Sequence, residues 1–124
     1  MRLTPAHYPG RAPIDAYGNG GFRFAEMSHK GHLLALLSGI HGWELNDPQA
    51  LRAEDFRILL DLEPHPEILL VGTGIRLVPQ VPTVLSALRE VGISVDVMDT
   101  GAAARTYNIL LSEERSVGAA LIAV

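Results

Sequence analysis

The chain has 124 residues, a formal net charge of −4 and a pI of about 5.6. Hydrophobic residues make up 48% and charged residues 19%, which suits one folded domain and excludes a disordered chain. The acidic balance and scattered basic residues exclude nucleic-acid binding by phosphate neutralisation, and the lack of cysteine excludes disulfides, thiolate metal sites and cysteine nucleophiles.

Residues 1–13 are rich in Pro, Gly and polar groups and are expected to form an irregular lead-in. No apolar signal core follows Met1, and no run approaches the ~20 residues of a membrane-spanning helix, so a cytoplasmic location is expected. Residues 14–17 and 22–25 read as short strands flanking the turn signal Gly18-Asn19-Gly20-Gly21, whose residues tolerate positive φ. Ser28-His29-Lys30-Gly31 reads as the next turn. The apolar run from His32 to Ile40 reads as one strand covered on both faces, ended by Gly39, Gly42 and Trp43. Together these predict an antiparallel meander.

Residues 53–62 predict a short helix, with Phe56, Leu59 and Leu60 on one face and Glu54 and Asp55 in the first turn. Residues 68–71 form an apolar strand. Pro82 suits a first helical position and Gly92 the position past a helix end, with Val84, Leu85, Leu88 and Val91 between them as an apolar stripe. Residues 94–98 predict a strand. Asp99 or Thr100 caps a helix that runs to Glu113 or Glu114, and residues 117–124 predict a last strand. The second half therefore reads β-α-β-α-β, with parallel strands joined by right-handed crossovers. The fold class is α/β: one domain over residues 1–124, with a mixed central sheet.

Two small-residue elbows, Gly72-Thr73-Gly74 and Asp99-Thr100-Gly101, each follow a strand, where α/β folds build ligand sites. The first is not a dinucleotide fingerprint, because Leu77 stands where the third glycine belongs. It reads either as a tight strand exit or as a backbone-amide cradle for an anion, with Gly72, Thr73 and Gly74 as donors. The second matches the aspartic-protease tripeptide in letters only, since one copy supplies one aspartate. Helix capping by Asp99 is the simpler reading. Arg105, Asn108 and Ser112 line one polar face of the last helix, where Arg105 suits an anion or a partner carboxylate. Asp99 and Tyr107 are candidate acid–base groups for a ligand held between the elbows. Trp43 reads as a strand-end plug or as an exposed anchor for a partner. The histidines, His7, His29, His32, His41 and His65, form no metal-ligand pattern. His29 and His32, three apart on one strand, would face opposite ways. No nucleophile elbow of the G-x-S-x-G type occurs.

Val71 through Gly74, the dense run from Gly92 through Leu110, and looser matches at Tyr17-Gly18, Phe22-Arg23, Trp43 and Asp55-Phe56 together resemble the complex I assembly factor 3-like family, domain of unknown function 498. The resemblance covers nearly the whole chain. It implies a three-layer α/β domain around a mixed sheet of about five strands. Mitochondrial members act in assembly of the respiratory NADH:ubiquinone oxidoreductase and bind a partner assembly factor, and a related domain occurs in an adipogenesis-associated cytoplasmic protein. The family lends no catalytic residues. Gly72, Gly74, Asp99, Thr100, Arg105, Tyr107 and Asn108 match its pattern. The expectation is a bacterial, cytoplasmic, non-enzymatic binding domain without cofactor or metal. Its partner would be a protein, a second copy of this chain included, met through Trp43, the polar face of the last helix or a sheet edge. The alternative is an anionic-ligand site or enzyme using a cleft between the elbows.

Overall fold

The computed structural model describes residues 7–124. Among the described residues nine strands form two sheets. Strands β1 (His7–Tyr8), β5 (His32–Leu36), β6 (Gly39–Trp43), β7 (Ile68–Gly72), β8 (Ser94–Met98) and β9 (Val117–Leu121) make a six-stranded sheet in the order β1-β6-β5-β9-β7-β8. Strands β2 (Ala16–Gly18), β3 (Gly21–Phe24) and β4 (Met27–Lys30) form a separate antiparallel sheet. The large sheet is mixed: β7 runs parallel to β8 and β9, while β5 is antiparallel to β6 and β9.

The central strands explain their own apolar runs. Successive side chains point to opposite faces, and both faces are covered. Leu33, Ala35, Leu70, Ala119 and Leu121 join Ala103, Ala104 and Tyr107 of helix α3 (Thr100–Ser112) and Phe22 and Phe24 of β3 in one core. Leu34, Leu36, Leu69, Val71, Ala120 and Ile122 join the other. There they meet Phe56 from a 3₁₀ turn (Ala53–Phe56), Leu59 of α1 (Arg57–Asp61), and Val84 and Leu88 of α2 (Pro82–Arg89). The result is three layers: α1 and α2, the sheet, then α3 with the small sheet. Pro82 opens α2, and Gly92 follows its end at φ 87°.

The first half divides differently from its apolar pattern. Residues 28–30 belong to β4 rather than to a turn, because Ala25 and Glu26 make the reversal at positive φ (47° and 61°) without glycine or asparagine. The run from His32 to Ile40 is two strands. Leu36 pairs with Gly39 around a tight reversal at Leu37-Ser38, and Gly42 and Trp43 lie inside β6. The lead-in contributes a strand as well, since His7 and Tyr8 pair with His41 and Ile40; residues 1–6 lie outside the described residues.

Candidate functional site

The elbows lie side by side because β7 and β8 are parallel neighbours whose C-terminal ends coincide, Gly72 opposite Met98. Gly72 is required there. A Cβ on it would stand 2.8 Å from Thr100 Cα and 3.0 Å from Thr100 Oγ1. That clearance lets the first turn of α3 rest on the strand. Thr100 is wholly buried. Its hydroxyl accepts from Gly74 N at 2.9 Å and donates to the Ile122 carbonyl at 2.7 Å, while its amide donates to Gly74 O at 2.8 Å. One side chain thus ties together the exits of β7 and β9 and the start of α3.

These bonds occupy two of the three amides expected to form the anion cradle. Thr73 N donates to Met98 O at 3.0 Å, and Gly74 N is held by Thr100, so neither amide is free for a ligand. The Thr73 hydroxyl accepts from Val78 N at 2.8 Å and donates to Arg76 O at 2.7 Å, which fixes the loop after the elbow. Asp99 Oδ1 accepts from Ala102 N at 2.8 Å, satisfying one orphan donor at the helix start as an N-cap does.

The family-pattern residues further along α3 hold a strap, residues 11–17, across the helix. Asn108 clamps the backbone of Ile14 twice: Oδ1 accepts from Ile14 N and Nδ2 donates to Ile14 O, both at 2.8 Å. Tyr107 is buried and donates to Ala12 O at 3.1 Å. Burial pushes its hydroxyl up to about 12, against a smaller opposing effect of Arg11. Burial and this bond commit the Tyr107 hydroxyl to the strap, in its protonated form at neutral pH. Arg105 Nη1 donates to Tyr17 Oη at 3.0 Å. Both groups lie against Gly101, where a Cβ would come within 2.7 Å of the Tyr17 hydroxyl. The guanidinium stands beside the Asp99 elbow, and what it holds there is Tyr17. The polar face of α3 is thus partly occupied by the chain itself. Ile14 and Ala12 escaped the sequence reading because they contribute backbone groups, and Tyr17 stood there as a looser family match whose pairing with Arg105 spans 88 positions.

Trp43 is 3% exposed, so it is a plug and not an exposed anchor. It packs on Phe56 with ring centroids 5.4 Å apart, and its indole N–H donates to Asp55 O at 2.7 Å. Its neighbours open a cleft of about 840 Å³ that includes His29, His32, Lys30, Glu44 and Asp55. His29 and His32 lie on different strands joined at Gly31, not on one, and His29 Nε2 is 3.0 Å from the His32 carbonyl. His32 Nδ1 accepts from Ala123 N at 2.9 Å, which requires the neutral ring. Burial first, and His29 second, hold its pKa below 6.5. Among the described residues no three His, Asp or Glu side chains are grouped to hold a metal.

Two further features lie open at this end of the sheet. The loop after Gly74 exposes Ile75 (84%), Leu77 (54%), Val78 and Val81. Strand β8 ends the sheet and, among the described residues, pairs only with β7.

A family model described as "Protein of unknown function (DUF498/DUF598)" matches residues 14–122. The mouse protein "NADH dehydrogenase (ubiquinone) 1 alpha subcomplex assembly factor 3" is 37% identical over 122 residues, covering 98% of this chain and 66% of that protein. The chain thus spans slightly less than two thirds of this longer relative. An uncharacterized protein of Rhodobacter capsulatus is 38% identical over 116 residues, covering 93% of this chain and 87% of its own length. Among solved structures, one described as an outer membrane protein from Bartonella henselae superposes with a TM-score of 0.89 at 50% identity, covering 95% of this chain and 99% of that one.

Proposed function

The chain belongs to the DUF498/DUF598 family, and from that premise we propose that it is a non-enzymatic binding domain that assists assembly of a respiratory NADH:ubiquinone oxidoreductase. The observation that carries this reading is the commitment of the site residues. Thr73, Gly74, Asp99, Thr100, Tyr107 and Asn108 each bond inside the chain, at and beside the two elbows where a ligand cleft was expected from the sequence. Similarity to an assembly factor over 98% of the chain supports the same direction. The partner is a protein, and we propose the cytoplasm as the compartment. No helix among the described residues is long and apolar enough to cross a membrane.

Deleting the gene in its own cell tests the function. The expected result is a loss of assembled NADH:ubiquinone oxidoreductase, measured by native gels, with subunit levels upstream of assembly preserved. Full assembly in the deletion strain would overturn it. Fractionation of the same cells tests the compartment. Recovery in the outer membrane, as the description of the Bartonella relative suggests for that protein, would overturn the cytoplasmic assignment.

A further inference from the structure

The binding reading leaves the docking surface open, and the fold narrows it. Trp43 is buried, and α3 carries its own strap. The sheet has two edges. Among the described residues β1 spans His7 and Tyr8 and is followed directly by Pro9, which has no N–H to donate to a further strand. β8 is five residues long, with no proline, glycine, lysine or bulge to blunt it.

The ladder fixes which backbone groups of β8 are free. Ser94 N donates to Glu67 O, and Met98 O accepts from Thr73 N, so Ser94 and Met98 direct their polar groups at β7. In a parallel ladder alternate residues do this, which assigns Asp96 to the same set and turns the N–H and C=O of Val95 and Val97 outward. Their side chains still pack into the core beneath α2. Asp96 is exposed on the opposite face, at the centre of the strand. The apolar loop of Ile75 and Leu77 leaves β7 at the Met98 end of the same strand pair.

Asp96 decides the occupant. In full antiparallel overlap a second copy would set Asp96 directly opposite Asp96, and like charges so placed are destabilising. A strand with a basic residue at that position meets the opposite charge. We propose that the outer edge of β8 takes up an extended segment of a partner protein by strand addition, with Lys or Arg opposite Asp96 and apolar residues toward the 75–81 loop. The proposal rests on the binding reading above and names its surface.

The probe is a displayed library of random peptides, selected on the whole chain. The expected outcome is enrichment of alternating apolar sequences with a Lys or Arg at one fixed position. Asp96→Lys then shifts the selection to Asp or Glu, while Asp96→Asn erases the charge preference. Val97→Pro removes one outward N–H and should weaken the selected peptides about tenfold. Unfolding midpoints are recorded alongside. If Val97→Pro loses its fold, the exposed Asp96 variants carry the test alone. Selection of no peptide, selection indifferent to Asp96→Lys, or a wild-type dimer broken by that substitution would each overturn the edge assignment. The deletion phenotype is independent of all three, so the assembly reading stands or falls separately.

Discussion

At the junction of Gly72 and Thr100, the polar side chains of Thr73, Asp99 and Thr100 all have partners inside the chain, and a fully buried hydroxyl joins two strand exits to a helix. One strand width away, β8 turns the backbone of two residues to solvent and a loop exposes Ile75 at 84%. Both regions lie at the same end of the same sheet, where α/β folds bind ligands. The difference separates two meanings of a recurring residue pattern. The Asp99 to Asn108 segment closes the fold, while the surface proposed to meet a partner is written in ordinary apolar and strand residues.

The sharpest break in that comparison comes from Gly72→Ala. The new Cβ meets backbone at 2.8 Å, and neither the strand nor the helix start can give way without breaking the Thr100 bonds. Overpacking of this kind costs about 3 kcal/mol, so urea denaturation should show a large fall in midpoint or no folded protein. Thr100→Val keeps the shape and deletes the hydroxyl. Gly74 N–H and Ile122 C=O then lose a buried partner, for about 2–3 kcal/mol, and Thr100→Ser should recover most of it. Asn108→Ala frees both polar groups of Ile14 and should cost about 2 kcal/mol. Hydrogen exchange at the Ile14 amide should rise with it, which tests whether the strap is held there.

Much of this was legible and some was not, for physical reasons. The β-α-β-α-β half follows from Pro82, Gly92 and Asp99, whose punctuation acts within a few residues. The division of the first half was hidden because Ala25 and Glu26 take left-handed backbone conformations their side chains disfavour. The division of 32–40 was hidden because both strands are apolar on both faces, so no periodicity marks the reversal at Leu37-Ser38. Capping by Asp99 was readable; the clamps of Tyr107 and Asn108 were not, since each reaches a backbone group more than ninety residues away.

Acidification gives a smaller effect, carried by two histidines of β5 and β6. His32 and His41 have pKa values below 6.5 in the fold, chiefly through burial, with His29 and His7 adding like charge. In the unfolded chain they take up protons near 6.5, so the unfolded state binds more protons just below that pH. Their stabilisation is complete above 6.5 and is lost as pH falls from there toward the folded pKa. Denaturation midpoints should therefore drop as the pH falls below about 6.5, and His32→Gln should flatten the slope.

The division between a closed and an open region is tested most directly by measuring stability and peptide binding together on two variants. Thr100→Val belongs to the closed region, and the double substitution Ile75→Ser with Leu77→Ser to the open one. The account predicts that Thr100→Val lowers the unfolding midpoint and leaves affinity for the selected peptides unchanged while folded. The loop variant should keep its midpoint to within about 0.5 kcal/mol and lose affinity. Loss of peptide affinity in folded Thr100→Val, with the loop variant binding as the parent does, would contradict it.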